Sequence, residues 1–192
     1  ELQIDFLKSK GLLPEHTLLD IGCGSLRLGI KAVRYLDPGN YWGTDLNQSL
    51  LTAGYDREIL SLDMGDRLPR SNLLQDTDFL FPRVPPKVNF AIATSLFTHL
   101  PLNNLRLCLA RLAQRVEGTC CFYFTIFMPT TGDPIMDRHP QVQNINTFSY
   151  KDPFHYDEDD IRHAARGLPW QITILGNWRH PRNQMMVEAL LC

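Results

Sequence analysis

Short apolar runs alternate with amphipathic stretches along almost the whole chain, and the spacing within each predicts the element it forms. Thr17 to Ile21 is an apolar run of strand length that ends at Gly22. Leu26, Ile30 and Val33 then recur at helical spacing, which predicts a helix from Leu26 to Leu36, stopped by the turn Asp37-Pro38-Gly39-Asn40. Tyr41 to Thr44 is a second apolar run. Strand, helix and strand in that order read as a βαβ start. Upstream, Leu2 to Lys10 predicts a helix that stops at Gly11, with Pro14 beyond it. Downstream, Asn47 is placed to cap a helix through Leu50, Leu51 and Ile59.

A short strand near Leu73 to Phe79 leads into the proline-rich connection Phe81 to Lys87. Val88 to Ala93 is continuously apolar, as a strand in the middle of a parallel sheet is. Leu102, Leu105, Leu109, Leu112 and Val116 repeat at helical spacing and read as a core stripe. Cys120 to Met128 is the next buried strand. Pro129 to Phe154 is a long polar connection, and residues 129–154 are expected to form a lid or substrate loop. Asp157, Glu158, Asp159 and Asp160 open a further helix that ends at Arg166 and Gly167, a charge order that suits the helix dipole. Gln171 to Leu175 and Met185 to Leu191 close the chain as strands, with only about nine residues between them. A parallel crossover needs roughly a dozen or more, so these two strands should be antiparallel. The seven apolar runs give one domain over residues 1–192. Its class is α/β: a doubly wound, mostly parallel seven-stranded sheet with a C-terminal antiparallel hairpin.

Composition adds exclusions. The 192 residues are 44% hydrophobic and 21% charged, ordinary for a globular domain that can bury a core without staples. There is no apolar run of membrane-spanning length, and the alternating start Glu1-Leu2-Gln3-Ile4-Asp5-Phe6 does not read as a signal peptide. The net charge is −2 and the basic residues form no block, so a small-molecule substrate is favoured over nucleic acid. Arg106, Arg111 and Arg115 could share a helix face, which reads as solvated. The five cysteines form no C-x-x-C pair, and Cys120 and Cys121 should point to opposite faces of a strand. They read as buried thiols in a reducing cytoplasm. No metal is expected: a polar surface loop accounts for Asp133, Asp137 and His139 better than a metal site.

The chemistry sits at the end of the first strand. Gly22-Cys23-Gly24 makes a Gly-x-Gly turn, and the second strand runs into Asp45, placed to accept hydrogen bonds from ribose hydroxyls. A dinucleotide site wants a third Gly three residues after the second, and this chain has Arg27 there. A cofactor with a ribose and no pyrophosphate fits better, and S-adenosyl-L-methionine is the obvious one.

These residues resemble the class I S-adenosylmethionine-dependent methyltransferases, in particular the bacterial small-molecule type. Leu19-Asp20-Ile21-Gly22-Cys23-Gly24 is similar to the family's first motif and Gly43-Thr44-Asp45 to its second. The resemblance continues through Asp78-Phe79, through Phe90 to Pro101, and in His180-Pro181-Arg182-Asn183-Gln184. One departure is Leu26, where the family often has another Gly. The resemblance implies S-adenosyl-L-methionine as cofactor and S-adenosyl-L-homocysteine as product. It implies cofactor contacts from Asp20, Gly22, Cys23, Gly24, Arg27, Asp45, Leu46, Asp78, Phe79 and Ser95. Asp78 is expected at the adenine amino group with Phe79 against the ring. The N-terminus of the helix after Gly24 should favour the methionine carboxylate.

Transfer of a methyl from a sulfonium is an in-line displacement, which depends mainly on positioning. The Asn/Asp-Pro-Pro-aromatic motif typical of amide and adenine N-methylation is replaced by Thr94-Ser95-Leu96-Phe97, so oxygen methylation is expected, most of all on a hydroxyl of a sugar or natural product, with a small acid compatible and amine and carbon acceptors open. An alcohol needs a base, and His99, His155 and His180 fall on the expected active face, ranked in that order. His16, His139 and His163 read as surface residues. Two rivals remain: a non-catalytic methyltransferase-like binding module, and an aminopropyl transferase, for which no acidic polyamine pocket is evident. Oligomeric state is open.

Overall fold

The computed structural model, which describes residues 1–129 and 134–192, builds a single seven-stranded sheet. Its strands are β1 (Leu18–Ile21), β2 (Tyr41–Asp45), β3 (Leu73–Gln75), β4 (Phe90–Ala93), β5 (Cys120–Ile126), β8 (Trp170–Asn177) and β9 (Met185–Leu191). A two-stranded ladder, β6 (His139–Pro140) with β7 (Asn146–Thr147), stands apart from them. The sheet order is β3-β2-β1-β4-β5-β9-β8. The first five strands are parallel, while β9 is antiparallel to both β5 and β8, as the short final connection requires. The chain has the doubly wound, mostly parallel architecture read from its apolar runs.

Helices cover both faces. On one side α1 (Leu2–Ser9), α2 (Gly29–Tyr35) and α3 (Gln48–Gly54) pack with Leu18, Phe90, Ile92 and Tyr123. On the other, α4 (Leu102–Arg115) and α5 (Glu158–Ala165) pack with Leu19, Ala91, Phe122 and Phe124. Side chains of β1 and β4 therefore alternate between two cores, which is why β4 is apolar throughout and β1 is apolar apart from the buried Asp20. Cys120 joins the α4 core and Cys121 packs on the other face, as their adjacency predicted. Cys192 is exposed, so the thiols are not uniformly buried.

Three details differ from the sequence reading. The helix after β1 begins at Gly29 rather than Leu26, because Leu26 holds a left-handed φ of 67° that no α-helix contains. The backbone thus keeps the glycine-like path with a leucine in it. The Leu26 side chain is fully buried against the Gly29 and Gly54 positions. Left-handed backbone costs a leucine about 1–3 kcal/mol, whereas emptying a buried leucine site costs about 3–5. Leu26→Gly should therefore destabilise the fold by about 2 kcal/mol in urea unfolding, despite restoring the residue best suited to the backbone. A stabilised variant would mean that strain outweighs packing there.

Strand β3 stops at Gln75, short of the expected Phe79. The Asp76 carboxylate accepts the backbone N–H groups of Asp78, Leu80 and Phe81, which folds the chain into a turn with Phe79 and Phe81 at positive φ. Finally, the three arginines of α4 are not a free solvated face. Arg106 donates to the carbonyls of His163, Ala164 and Arg166 at the end of α5, and Arg115 donates to that of Phe81. Arg111 donates to the carbonyl of Asp78. Their charge is committed to chain ends and turns within the fold.

Candidate active site

The carboxyl ends of β1, β2 and β4 meet where the sheet order reverses, the place an open α/β sheet offers a ligand. Gly22 leaves β1 at a φ of 74°, and a Cβ on it would stand 3.0 Å from Leu96 Cδ1. Its own N–H and that of Cys23 both donate to the Thr44 carbonyl, which fixes the turn against β2. At the end of β2, Asp45 accepts the Gly24 N–H on Oδ2 (2.9 Å) and the Asn47 N–H on Oδ1 (2.8 Å). Asn47 in turn caps α3 by accepting the Ser49 N–H, as its position predicted. One carboxylate thus joins the Gly-x-Gly turn to the start of the next helix.

Two cavities open here, and Gly22 lines both. The smaller, about 70 Å³, is walled by Asp45, Leu46, Asp76, Phe79, Leu96 and Leu100, among others. The larger, about 600 Å³, is walled by Asp20, Cys23, Gly24, Arg27, Ser95 and His180, together with residues the sequence did not assign to the cofactor or to catalysis. Those are Glu1, Leu2 and Gln3 at the start of α1, Leu50, Thr94, Trp178 and Arg182, among others. The α1 contribution has no local signal: Phe6 packs edge-on to both Tyr123 and Trp178, a tertiary contact that swings the first turn of the helix over the cavity.

Asp78 is not brought to either cavity. Its exposed carboxylate accepts the Thr77 hydroxyl, and Asp76, two residues earlier, takes the wall position with its oxygens on backbone N–H groups. Ser95 sits at a φ of 58°, its N–H on Thr125 Oγ1 and its hydroxyl donating to Gln184 Oε1, which Thr125 also reaches. The loop before β9 is thereby tied to the end of β4. The helix N-terminus expected near the methionine carboxylate lies five residues past Gly24, because α2 starts at Gly29.

Asp20 is 5% exposed and receives the Tyr41 hydroxyl at 2.8 Å. Burial pushes its carboxyl up to about 7, with the Tyr41 hydrogen bond opposing and Asp45 reinforcing the rise. A carboxyl raised in the folded state binds its proton more tightly folded than unfolded. Its contribution is therefore full below its unfolded value near 4 and is lost as pH rises through about 7. Asp20→Asn should flatten the unliganded protein's stability between pH 4 and 7 relative to wild type, read by thermal unfolding across that window. Parallel profiles would place Asp20 at an ordinary carboxylate value. Burial likewise pushes the Cys23 thiol far up, so it lines the cavity as an inert, neutral group.

The three histidines separate. His155 is fully buried, with Nδ1 at 3.1 Å from Thr147 Oγ1 and Nε2 donating to the Ile135 carbonyl at 2.7 Å. Both ring nitrogens are bonded within residues 135–147, and His155 lines neither cavity. His139 stacks edge-on to it at 4.7 Å and is also buried, contrary to its reading as a surface residue. His99 is exposed outside both cavities, Nδ1 2.7 Å from Asp152 Oδ1. His180 alone lies in a cavity wall. Burial, and then Arg182, hold its imidazole below the usual value. Among the described residues no group of three or more His, Cys, Asp or Glu could hold a metal ion, and Asp133 lies outside them. No helix of the described residues is long and apolar enough to cross a membrane.

No family model matches the sequence. Solved structures do match the fold. The glycopeptide N-methyltransferase MtfA, complexed with S-adenosyl-L-homocysteine, superposes with a TM-score of 0.68 at 15% identity, over 98% of this chain and 85% of that one. Magnesium protoporphyrin IX methyltransferase from Synechocystis PCC 6803, with S-adenosylmethionine bound, gives 0.64 at 15% identity, over 98% and 76%. Geranyl diphosphate C-methyltransferase from Streptomyces coelicolor A3(2), in complex with magnesium, geranyl diphosphate and S-adenosyl-L-homocysteine, gives 0.63 at 14%, over 98% and 75%. The strand order, the antiparallel close and these superpositions give the chain the fold of the class I S-adenosylmethionine-dependent methyltransferases.

Proposed function

We propose that this chain is an S-adenosylmethionine-dependent methyltransferase that acts on a hydroxyl of a small molecule, a sugar or a natural product. The observation that carries the reading is the pair of cavities sharing Gly22, with Asp45 in the wall of one and Asp20 and Arg27 in the wall of the other. Such a divided space suits a nucleoside on one side of the glycine and an amino acid on the other. Phe79, Leu96 and Leu100 pack the base, and Asp45 accepts from the ribose hydroxyls. Asp20 and Arg27 take the amino and carboxylate groups. The cofactor, when bound, supplies an electrophilic methyl on a sulfonium. The larger cavity then has to hold the acceptor in line with it, and positioning of that kind supplies about 7–11 kcal/mol of the barrier reduction. His99 is the proposed base; it stands exposed outside both cavities, so the acceptor has to extend beyond the larger one to meet it, with Asp152 on Nδ1 orienting the ring. The five free cysteines suit a reducing cytoplasm.

The test is methyl transfer itself. The protein is incubated with S-adenosylmethionine and a panel of hydroxylated sugars and phenols, and products are read by mass spectrometry for one added methyl. S-adenosyl-L-homocysteine binding with no methylated product would favour a binding module instead.

Of the connection 129–154, residues 134–154 are proposed as a cover for the acceptor; 130–133 lie outside the described residues. Gln143 donates to the Pro181 carbonyl beside the larger cavity, and Phe154 N–H donates to the Thr98 carbonyl after β4. Amide exchange across 134–154 should slow when cofactor product and acceptor are both bound, since excluding water assists a charged donor. Unchanged exchange in that complex would remove the covering role.

A further inference from the structure

We propose that the larger cavity grips its acceptor by an anionic oxygen group, carboxylate or phosphate, through Trp178, His180 and Arg182 of the loop between β8 and β9. The proposal rests on the methyltransferase reading above and names its substrate class. Among the described residues, two buried side-chain polar atoms have no hydrogen-bond partner, Thr94 Oγ1 and Trp178 Nε1. Both residues line this cavity. Trp178 is 8% exposed, so its N–H is shut off from bulk water, and an indole nitrogen only donates. Folds retain few such unmade donors, and this one stands beside the cavity with its hydrogen bond unmade, within reach of a ligand atom after a small turn of the indole.

The neighbours are donors too. His180 stacks on Trp178, with ring centroids 5.5 Å apart and an interplanar angle of 21°. Its Nδ1 accepts the Arg182 backbone N–H at 3.3 Å, which leaves the proton of the neutral ring on Nε2. His180 is thus a donor toward the cavity rather than the base its sequence position suggested. The Arg182 guanidinium enters no ion pair among the described residues. The acids of the same wall are already engaged: Glu1 pairs with Lys31 at 2.9 Å, and Asp20 holds the Tyr41 hydroxyl. With Arg27 assigned to the cofactor carboxylate, an indole N–H, an imidazole N–H and a guanidinium remain on one loop. Their complement is a negatively charged oxygen group.

Benzoate, phenyl phosphate and neutral benzamide are titrated into protein saturated with S-adenosyl-L-homocysteine, by ligand-observed NMR. At least one anion should bind in the millimolar range and benzamide about tenfold more weakly or not at all. The stronger anion tells a carboxylate from a phosphate site. Arg182→Gln and Trp178→Phe should each weaken the anion about tenfold while S-adenosyl-L-homocysteine affinity holds. Because Trp178 packs on Phe6, its variant could misfold, and Arg182→Gln, a change at an exposed side chain, then decides the matter alone. Benzamide binding as well as the anions, or unchanged anion binding by Arg182→Gln, overturns the proposal. So does a Trp178→Phe protein that loses the nucleoside and keeps the anion, since the indole would then serve the cofactor. Failure of S-adenosyl-L-homocysteine to bind wild type overturns the methyltransferase reading instead, and the same titration without it still decides whether the loop holds anions.

Discussion

Asp45→Ala should raise the dissociation constant for S-adenosyl-L-homocysteine about 100-fold. A carboxylate accepting two ribose hydroxyls makes two charge-assisted hydrogen bonds, and losing about 2.7 kcal/mol between them corresponds to that factor. At a hundred times its dissociation constant, this ligand stabilises wild type by about 2.7 kcal/mol, roughly 5–10 °C in a chain of this length. The variant at the same ligand concentration should show almost none of that shift. The unliganded variant should also melt lower, because Asp45 holds the N–H groups of Gly24 and Asn47 without any ligand. Asp45→Asn separates the two effects: its amide oxygen can keep a backbone N–H, while its NH2 cannot accept from a ribose. If Asp45→Ala protein is stabilised as much as wild type, or if NAD stabilises wild type and S-adenosyl-L-homocysteine does not, the nucleoside has been assigned wrongly.

What the sequence revealed and what it hid divide along a physical line. Strands β1, β4 and β5 are mostly apolar on both faces, Asp20 and Thr125 apart, because both faces are core, so a local run was enough to find them. The antiparallel close followed from chain length between β8 and β9, a constraint that needs no coordinates. Gly22 and Asp45 were legible because a tight turn and a strand-end acid have fixed spacing along one βαβ unit. The larger cavity was legible only in part, since Glu1, Thr94 and the Trp178–Arg182 loop of its wall lie far apart in the chain and meet by packing. That Asp76 rather than Asp78 stands in the smaller cavity's wall was hidden for a related reason: spacing cannot tell which of two neighbouring acids turns its oxygens to its own backbone. The histidines were the least legible. His155 shares the polar surroundings of a surface loop in sequence, yet it is buried, with one ring nitrogen on Thr147 in β7 and the other on the Ile135 carbonyl before β6.

With both His155 nitrogens bonded within the fold and His180 presenting a donor, His99 is the histidine proposed as the base for an alcohol acceptor. His99→Gln should lower turnover about 100- to 10,000-fold, the usual loss on removing a general base. Its ring is about half exposed and so is Asp152, and an exposed pair contributes roughly 0–1 kcal/mol to folding. The substitution should therefore leave the melting temperature and the S-adenosyl-L-homocysteine affinity near wild type, so that a loss of rate reports chemistry. Asp152→Asn keeps a polar partner beside Nδ1 and should lower kcat less than His99→Gln does, with KM near wild type. The split between kcat and KM is the discriminating readout, because a role confined to holding the loop after β4 against residues 148–154 would change stability or KM rather than kcat. Near-wild-type turnover by His99→Gln on the true acceptor would remove the base, and the acceptor oxygen would then have to be already ionised when it meets the methyl group. An acceptor whose reacting atom is its own carboxylate or phosphate oxygen meets that condition, and the donors of Trp178, His180 and Arg182 would be the groups that hold it.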